Sequence, residues 1–372
     1  GKVTSSGWNE IPGISPMLYS HFLSDIMVSR KIEDMNFDMP ELKFYKHTVP
    51  LSPELKKGYD KLKDDLIAFM TANKDINLGG TYLNTLLSYP DMPLNEPLFY
   101  EDNLISNPPN IDVENKLLPK EKKLIETIDR ELKQGRRVVV YITYTGTKKI
   151  DERVEKVLKN EGMKVKILKS SVKTEKREQW IEDRYNEGTQ VIITNPKLVQ
   201  TGLDIIGYPT LYFYEVDYDV RVVRQAESRA WRPNQEKECR VYYSYYKDTI
   251  QHDALKLIGS KKKASLALEG VFAEDILSDM GDIGDSGAAA LYKALLGKVK
   301  LAEDDLDFFS DEEEIEIIEI EPETITTIDT TPTTTEPITQ LSLFTITKDI
   351  LEEKPKKKRK NTAVGQLSLF EI

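Results

Sequence analysis

The chain has 372 residues, 39% of them hydrophobic and 31% charged, enough for about two domains with sizeable cores. Its single cysteine, Cys239, excludes an internal disulfide and a four-thiolate zinc site and points to a reducing compartment. The formal net charge of -11 is not spread evenly: residues from Leu301 onward hold 18 acidic and 7 basic side chains, which leaves 45 of each in residues 1–300. The acidic balance therefore belongs to the tail and does not argue against a nucleic-acid partner for the rest. No apolar run is long enough to span a membrane, so no membrane partner is expected, and a start at Gly1-Lys2-Val3 without Met or signal peptide reads as a fragment or processed chain.

In chain order, Leu51-Ser52-Pro53-Glu54-Leu55 predicts a capped helix start, with Ser at the cap, Pro in the first turn and apolar spacing through Tyr59, Leu62 and Leu66. Residues 71–118 are rich in Asn, Pro and Gly and read as a connector. Pro119 opens a helix carrying Leu124, Ile125, Ile128 and Leu132 and followed by Gly135. A β-branched run follows over Arg137–Ile142. Next come a helix with Ile150, Val154, Val157 and Leu158 closed by Gly162, and a strand over Val165–Leu168. Thr174 is expected to cap a third helix, with Trp180, Ile181 and Tyr185, closed by Gly188. Strands over Val191–Thr194 and Leu211–Val216, a helix near 221–231 and a strand over Val241–Tyr246 complete the pattern. Strands alternating with helices of this length imply an α/β fold with a parallel sheet, whose functional loops lie at the carboxyl ends of the strands.

Two of those loops carry candidate chemistry. One follows the strand Val191-Ile192-Ile193 and includes Asn195, Thr201, Gly202 and Asp204. The other holds Gln225, Arg229 and Arg232 at i, i+4 and i+7, the spacing of one helix face. Two always-charged guanidinium groups can fork onto phosphate oxygens and offset the charge that builds during phosphoryl transfer. Gly202 permits close approach of backbone to a nucleotide, and Asp204 could orient an arginine or the nucleotide sugar. Standing alone, the two arginines would read as a solvated helix face; with Gln225, Gln235 and the upstream Thr201-Gly202-Leu203-Asp204 they read as a site.

Gln225-Ala226-x-x-Arg229-Ala230-Trp231-Arg232-x-x-Gln235 resembles motif VI of superfamily-two helicases, closest to the Swi/Snf-like branch, where Trp231 replaces a common His and Pro233-Asn234 an apolar-Gly pair. Thr201–Asp204 resembles motif V and Val138–Thr145 motif IV. Arg30–Asp34 with Met39–Leu42 and Val49–Ser52 resembles the bridge between the two lobes of such motors. The resemblance covers roughly residues 20–270. It implies a RecA-like parallel sheet with helices on both faces, preceded by a partly helical connector and followed by a disordered tail. It implies four parts: a first-lobe remnant and connector over 1–118, the second lobe over 119–270, a helical extension over 271–300 and an acidic, Thr/Pro-rich tail over 301–372. It implies ATP and Mg2+ as cofactors, held mainly by a first lobe, with Arg229 and Arg232 catalytic and Gly202, Asp204 and Gln225 facing ATP across the cleft. DNA is then the partner, gripped through its phosphates by Thr143, Thr145, Asn195 and Thr201.

Neither a Gly-x-x-x-x-Gly-Lys-[Ser/Thr] loop nor an Asp-Glu-x-x box of the kind that closes an apolar strand is present, so the chain alone is expected not to hydrolyse ATP. In the tail, Gln340-Leu341-Ser342-Leu343-Phe344 recurs as Gln366-Leu367-Ser368-Leu369-Phe370. Two leucines and a Phe give an extended peptide three apolar anchors for a groove, and both copies resemble the bacterial sliding-clamp-binding peptide. That resemblance implies recruitment to a sliding clamp and a cytoplasmic, bacterial, phage or mobile-element setting. The basic run Lys354–Lys360 reads as a solvated linker rather than a nuclear import signal. The expected function is the C-terminal part of an ATP-dependent DNA helicase or translocase in replication, repair or recombination; the alternative is a non-catalytic adaptor that tethers DNA or partners to the clamp.

Overall fold

The computed structural model describes residues 2–4, 7–9, 39–73, 79–93, 97–100, 102–109, 111–146, 148–199, 202–268, 291, 293–297 and 301–311. A short antiparallel pair, β1 (Lys2–Thr4) and β2 (Gly7–Asn9), begins the chain. The main sheet is built from β3 (Leu42–Val49), β6 (Val138–Tyr141), β7 (Val165–Leu168), β8 (Val191–Thr194), β9 (Thr210–Phe213), β10 (Cys239–Tyr246) and β11 (Ser310–Asp311). Its order is β11-β3-β10-β9-β6-β8-β7, and every pairing is parallel. The second antiparallel pair, β4 (Leu98–Tyr100) and β5 (Asn103–Ser106), lies outside it.

Among the described residues seven helices accompany the strands: α1 (Pro53–Asn73), α2 (Gly79–Ser88), α3 (Pro119–Lys133), α4 (Ile150–Asn160), α5 (Arg177–Asn186), α6 (Val220–Glu227) and α7 (Ile250–Leu268). Successive side chains of a strand point to opposite faces, and the core divides accordingly. Val138 and Val140 of β6, with Ile193, Tyr212 and Tyr242, pack against Leu124 and Ile128 of α3 and Val154 and Leu158 of α4. Val139 and Tyr141, with Ile192, Phe213 and Tyr243, pack against Ile181 of α5, Val223 and Ala226 of α6 and Ile258 of α7. The sheet is therefore covered by helices on both faces, as expected. Glycines close α3, α4 and α5 as the sequence suggests: Gly135, Gly162 and Gly188 sit at φ 65°, 78° and 80°.

Several expectations need correction. The 71–118 region is not plain connector, because it contains α2, a 3-10 turn over Tyr89–Asp91 and the β4–β5 hairpin. These pack with α1 in a third core that includes Leu62, Leu66, Leu83, Leu86 and, from the expected helical extension, Leu291 and Leu295. The sheet also draws on β3, upstream of residue 119, paired with β10 from Cys239↔Leu42 to Tyr246↔Val49. Ser52 does cap α1, its Oγ accepting from the Leu55 amide at 3.3 Å. Thr174 instead starts a 3-10 turn without a side-chain cap.

The acidic region expected to be disordered from residue 301 is docked as far as Asp311. Glu303–Phe308 forms a 3-10 helix against α7, and Ser310–Asp311 adds the edge strand β11 to β3. Leu306 and Phe309 are 6% and 1% exposed, and Phe309 meets Tyr243 edge-on at 4.9 Å. Glu303 accepts from Lys256 at 2.6 Å. Gly259 makes the approach possible, since a Cβ there would lie 2.1 Å from the Asp305 carbonyl oxygen.

A buried ion pair ties the upstream residues to the lobe. Lys120 and Asp91 are both fully buried, with Nζ 2.9 Å from Oδ1, and Gln251 donates to Asp91 at 2.7 Å. Lys120 also lies over the rings of Tyr214 and Tyr246 at 4.5 and 5.3 Å. Cys239 is buried, and burial pushes its thiol up to about 11. No helix among the described residues is long and apolar enough to cross a membrane.

Candidate nucleotide and nucleic-acid sites

The loop after β8 and the loop after α6 meet through the backbone of Ile205 and Arg229. After a 3-10 turn over Pro196–Val199, Gly202 takes φ 61°, a conformation that favours glycine. It leaves Leu203 and Ile205 buried and Asp204 exposed. Asp219 caps α6 by accepting from the Arg221 amide at 3.0 Å. The helix ends at Glu227, so Gln225, Arg229 and Arg232 do not share one helix face. Gln225 is exposed on α6, whereas the arginines lie in the turn and loop that follow. Pro233 disfavours helical backbone at Arg232, and the Arg229 carbonyl is used elsewhere, accepting from the Ile205 amide at 2.9 Å.

That bond joins the two loops, and side chains reinforce it. Arg232 Nε donates to Asp204 Oδ1 at 2.7 Å, with the two side chains 25% and 49% exposed. An ion pair at that exposure contributes about 1 kcal/mol or less, so it orients the guanidinium more than it stabilises the fold. Gln235 Nε2 donates to the carbonyls of Ile206 at 2.8 Å and Ala230 at 3.2 Å. Arg229 is 8% exposed; burial first, and then the nearby Arg232, lower its pKa from the ordinary arginine value. Trp231 has a local role, its Nε1 donating to the Pro40 carbonyl at 2.6 Å. Behind the turn, Glu227 pairs with Lys262, which sits 4.1 Å from the Phe44 ring and 5.0 Å from that of Phe308.

The second site is a cavity of about 350 Å³ at the carboxyl ends of β6, β7 and β8, lined by Thr145, Asp151, Lys169, Ser170, Asn195 and Lys197 among others. Thr145 and Asn195 therefore line one cavity, but Asn195 is committed at both ends. Its Nδ2 donates to the Thr143 carbonyl at 2.8 Å, and its Oδ1 accepts from the Lys197 amide at 2.9 Å. Thr143 is held beside it by its amide, which donates to Glu215 Oε2 at 2.8 Å, as does that of Tyr144. Thr201 lies outside the described residues. So do the tail peptides with Gln340, Leu341, Leu343, Phe344, Gln366, Leu367, Leu369 and Phe370, the run Lys354–Lys360 and the bridge residues Arg30–Asp34.

Lys169, Ser170, Lys197, Asp151 and Glu215 were not singled out from the sequence. The first three follow β7 and β8 directly, and the rule that strand carboxyl ends carry function would have found them. Nothing in the sequence marks Asp151 or Glu215 as buried.

Residues 119–234 match the family described as helicase conserved C-terminal domain. Over these residues the chain is similar to helicase C-terminal domains. Helicase SWR1 of Cryptococcus neoformans var. neoformans serotype D (strain B-3501A) is 26% identical over 272 residues, which is 67% of this chain and 21% of that protein. ATP-dependent helicase fft3 of Schizosaccharomyces pombe is 28% identical over 161 residues, 42% of this chain and 17% of that protein. DNA repair protein rhp54 of the same yeast is 25% identical over 241 residues, 60% and 26% of the two chains. The solved C-terminal part of the Fun30 ATPase domain superposes with a TM-score of 0.48 at 16% identity, over 70% of this chain and 100% of that one. The chain thus spans about a quarter or less of the length of the curated relatives it matches. These relatives also correct the expected cytoplasmic, bacterial, phage or mobile-element setting: they come from fungi and Drosophila melanogaster, which are eukaryotes.

Proposed function

We propose that residues 39–311 act as the second, RecA-like lobe of a two-lobed, ATP-driven DNA translocase or helicase of the Swi/Snf-like branch. The observation that carries this is the pinned pair of loops: Ile205 to Arg229 through the backbone, Asp204 to Arg232 through side chains. It presents two arginines side by side on joined loops, where a partner lobe holding ATP and Mg2+ would place the γ-phosphate. Asp204 then positions Arg232, Gly202 leaves room for that lobe, and Gln225 stands on the exposed face of α6. ATP enters the reaction through the partner lobe; this chain alone binds nucleic acid and does not turn nucleotide over.

The crevice with Lys169, Ser170, Lys197 and Thr145 is the proposed grip on DNA phosphates. Such a grip is sequence-independent and salt-sensitive, as a stepping motor requires. The repeated tail peptides are proposed to recruit the motor to a sliding clamp, two copies on one linker raising the effective concentration of each. The absence of a phosphate-binding loop from these residues also favours a second reading, in which the lobe is a tether without catalysis.

One experiment separates the two. With the first lobe supplied, Arg232→Ala is expected to abolish DNA-stimulated ATP hydrolysis while DNA affinity stays within about twofold. Unchanged turnover removes the arginine role and leaves the tether. For the tail, Phe344→Ala together with Phe370→Ala should eliminate binding in a titration with purified clamp, and equal affinity refutes recruitment.

A further inference from the structure

The crevice contains a carboxyl group that the DNA-gripping role does not use. Asp151 is the second residue of α4, only 4% exposed, and it lines the cavity beside Lys169, Ser170 and Thr145. Its Oδ1 has no hydrogen-bond partner among the described residues. A buried acceptor left unpaired costs free energy, so such an atom is expected to meet a ligand. The charged groups acting on it are Glu152 on its own helix and Lys169 after β7, and these two pair with each other at 3.0 Å. Lys197, after β8, also lines the cavity and lies 3.6 Å from Asp217. Both lysines thus carry an acidic partner, and an ionised Asp151 would make the crevice repel a phosphate.

A neutral Asp151 has the opposite effect, because a protonated carboxyl donates a hydrogen bond. Burial is the largest influence on Asp151 and raises its pKa, against the first-turn amides of α4 and Lys169, which favour the charged form. We propose that Asp151 is a proton-carrying contact for a nucleic-acid phosphate, its Oδ1–H donating to a non-bridging oxygen held in the crevice, so that binding takes up a proton from solvent. The proposal rests on the reading of this crevice as the DNA grip. A ligand of hydroxyl or amino character, such as a ribose 2′-OH, would instead need Asp151 ionised and accepting.

The test uses the full chain and a fluorescein-labelled oligodeoxynucleotide, titrated by anisotropy at fixed salt from about pH 8 to about pH 5. Burial pushes Glu215, beneath the Thr143–Tyr144 turn, up to about 8, so the comparison is between variant and wild type at each pH. Wild-type affinity is expected to rise as pH falls. Asp151→Asn, an uncharged donor of the same shape, should bind at pH 8 about tenfold more tightly than wild type and lose the difference at low pH, since a hydrogen bond to a charged group is of that size. Asp151→Ala should be flat and weaker than Asp151→Asn. Equal pH slopes in wild type and Asp151→Asn, or weaker binding by Asp151→Asn at pH 8 with a preference for the matching oligoribonucleotide, overturn the proposal. Lys169→Glu with Lys197→Glu tests the underlying reading separately: unchanged affinity in that variant removes the crevice as the grip, whatever Asp151 does.

Discussion

Glu215 offers a sharp test of how the loops at the sheet edge are held. It is 3% exposed, and one carboxylate oxygen, Oε2, accepts the amides of Thr143 and Tyr144, each at 2.8 Å. Its other oxygen has no hydrogen-bond partner among the described residues. Burial, with the charge of Asp91 second, pushes its pKa up to about 8 against the two amides and Lys120. A carboxyl raised in the folded state holds a proton that the unfolded chain has released. Its contribution is complete below the ordinary carboxyl value of 4.5 and is lost as pH rises through about 8. The gap between those values corresponds to roughly 5 kcal/mol as an upper bound, since relaxation and water entry reduce it. Denaturant midpoints measured from about pH 5 to about pH 9 should therefore fall with rising pH. Glu215→Gln keeps an oxygen for both amides and removes the titration, so its midpoint should stay flat over that range and exceed wild type at the alkaline end. A wild-type midpoint that rises with pH, or the same slope in Glu215→Gln, would refute the reasoning.

Two further outcomes follow from buried contacts. Lys120→Met should cost about 3 kcal/mol or more in equilibrium unfolding, because it strands the fully buried Asp91; adding Asp91→Leu should recover much of that loss, and equal cost in single and double variants would contradict the pairing. Gly→Ala in an open helix interior stabilises by about 1 kcal/mol, but Gly259→Ala should lower the Tm and speed hydrogen exchange over residues 303–311, since its Cβ would meet the Asp305 carbonyl oxygen at 2.1 Å. A higher Tm for that variant would mean the acidic segment is not held there.

Much of the parallel sheet is legible in the sequence because its central strands after residue 119 are short runs of β-branched or aromatic residues buried on both faces. Val138–Tyr141, Val191–Thr194 and Thr210–Phe213 are buried throughout. β3 escapes that signature because Lys43, Lys46 and His47 interrupt its apolar residues. Lys43 and Lys46 reach acids near the sheet edge, Glu238 at 2.8 Å and Asp311 at 3.6 Å, while His47 lies buried 3.2 Å from the Tyr212 hydroxyl. The docked segment is hidden by its own composition: five acids surround Leu306, Phe308 and Phe309, and charge is what a sequence reading weighs first.

The candidate site was legible in its residues but not in its geometry. The spacing of Gln225, Arg229 and Arg232 describes one face only if the helix continues, and Pro233 with the Ile205–Arg229 bond ends it at Glu227. What unites the arginines with Asp204 is contact between loops about 25 residues apart, which periodicity cannot report. The buried carboxyls Asp151 and Glu215 look like surface acids in the sequence, and their meaning comes from the tertiary packing around them.

The central claim is that Arg232, held by Asp204, completes an ATP site across a cleft. Its most direct test is DNA-stimulated phosphate release at saturating DNA by the protein joined to its first lobe, comparing wild type with Arg232→Ala. The account predicts a fall of about three orders of magnitude or more in kcat, with ATP affinity changed far less. An Arg232→Ala protein that turns over within a few-fold of wild type would contradict it.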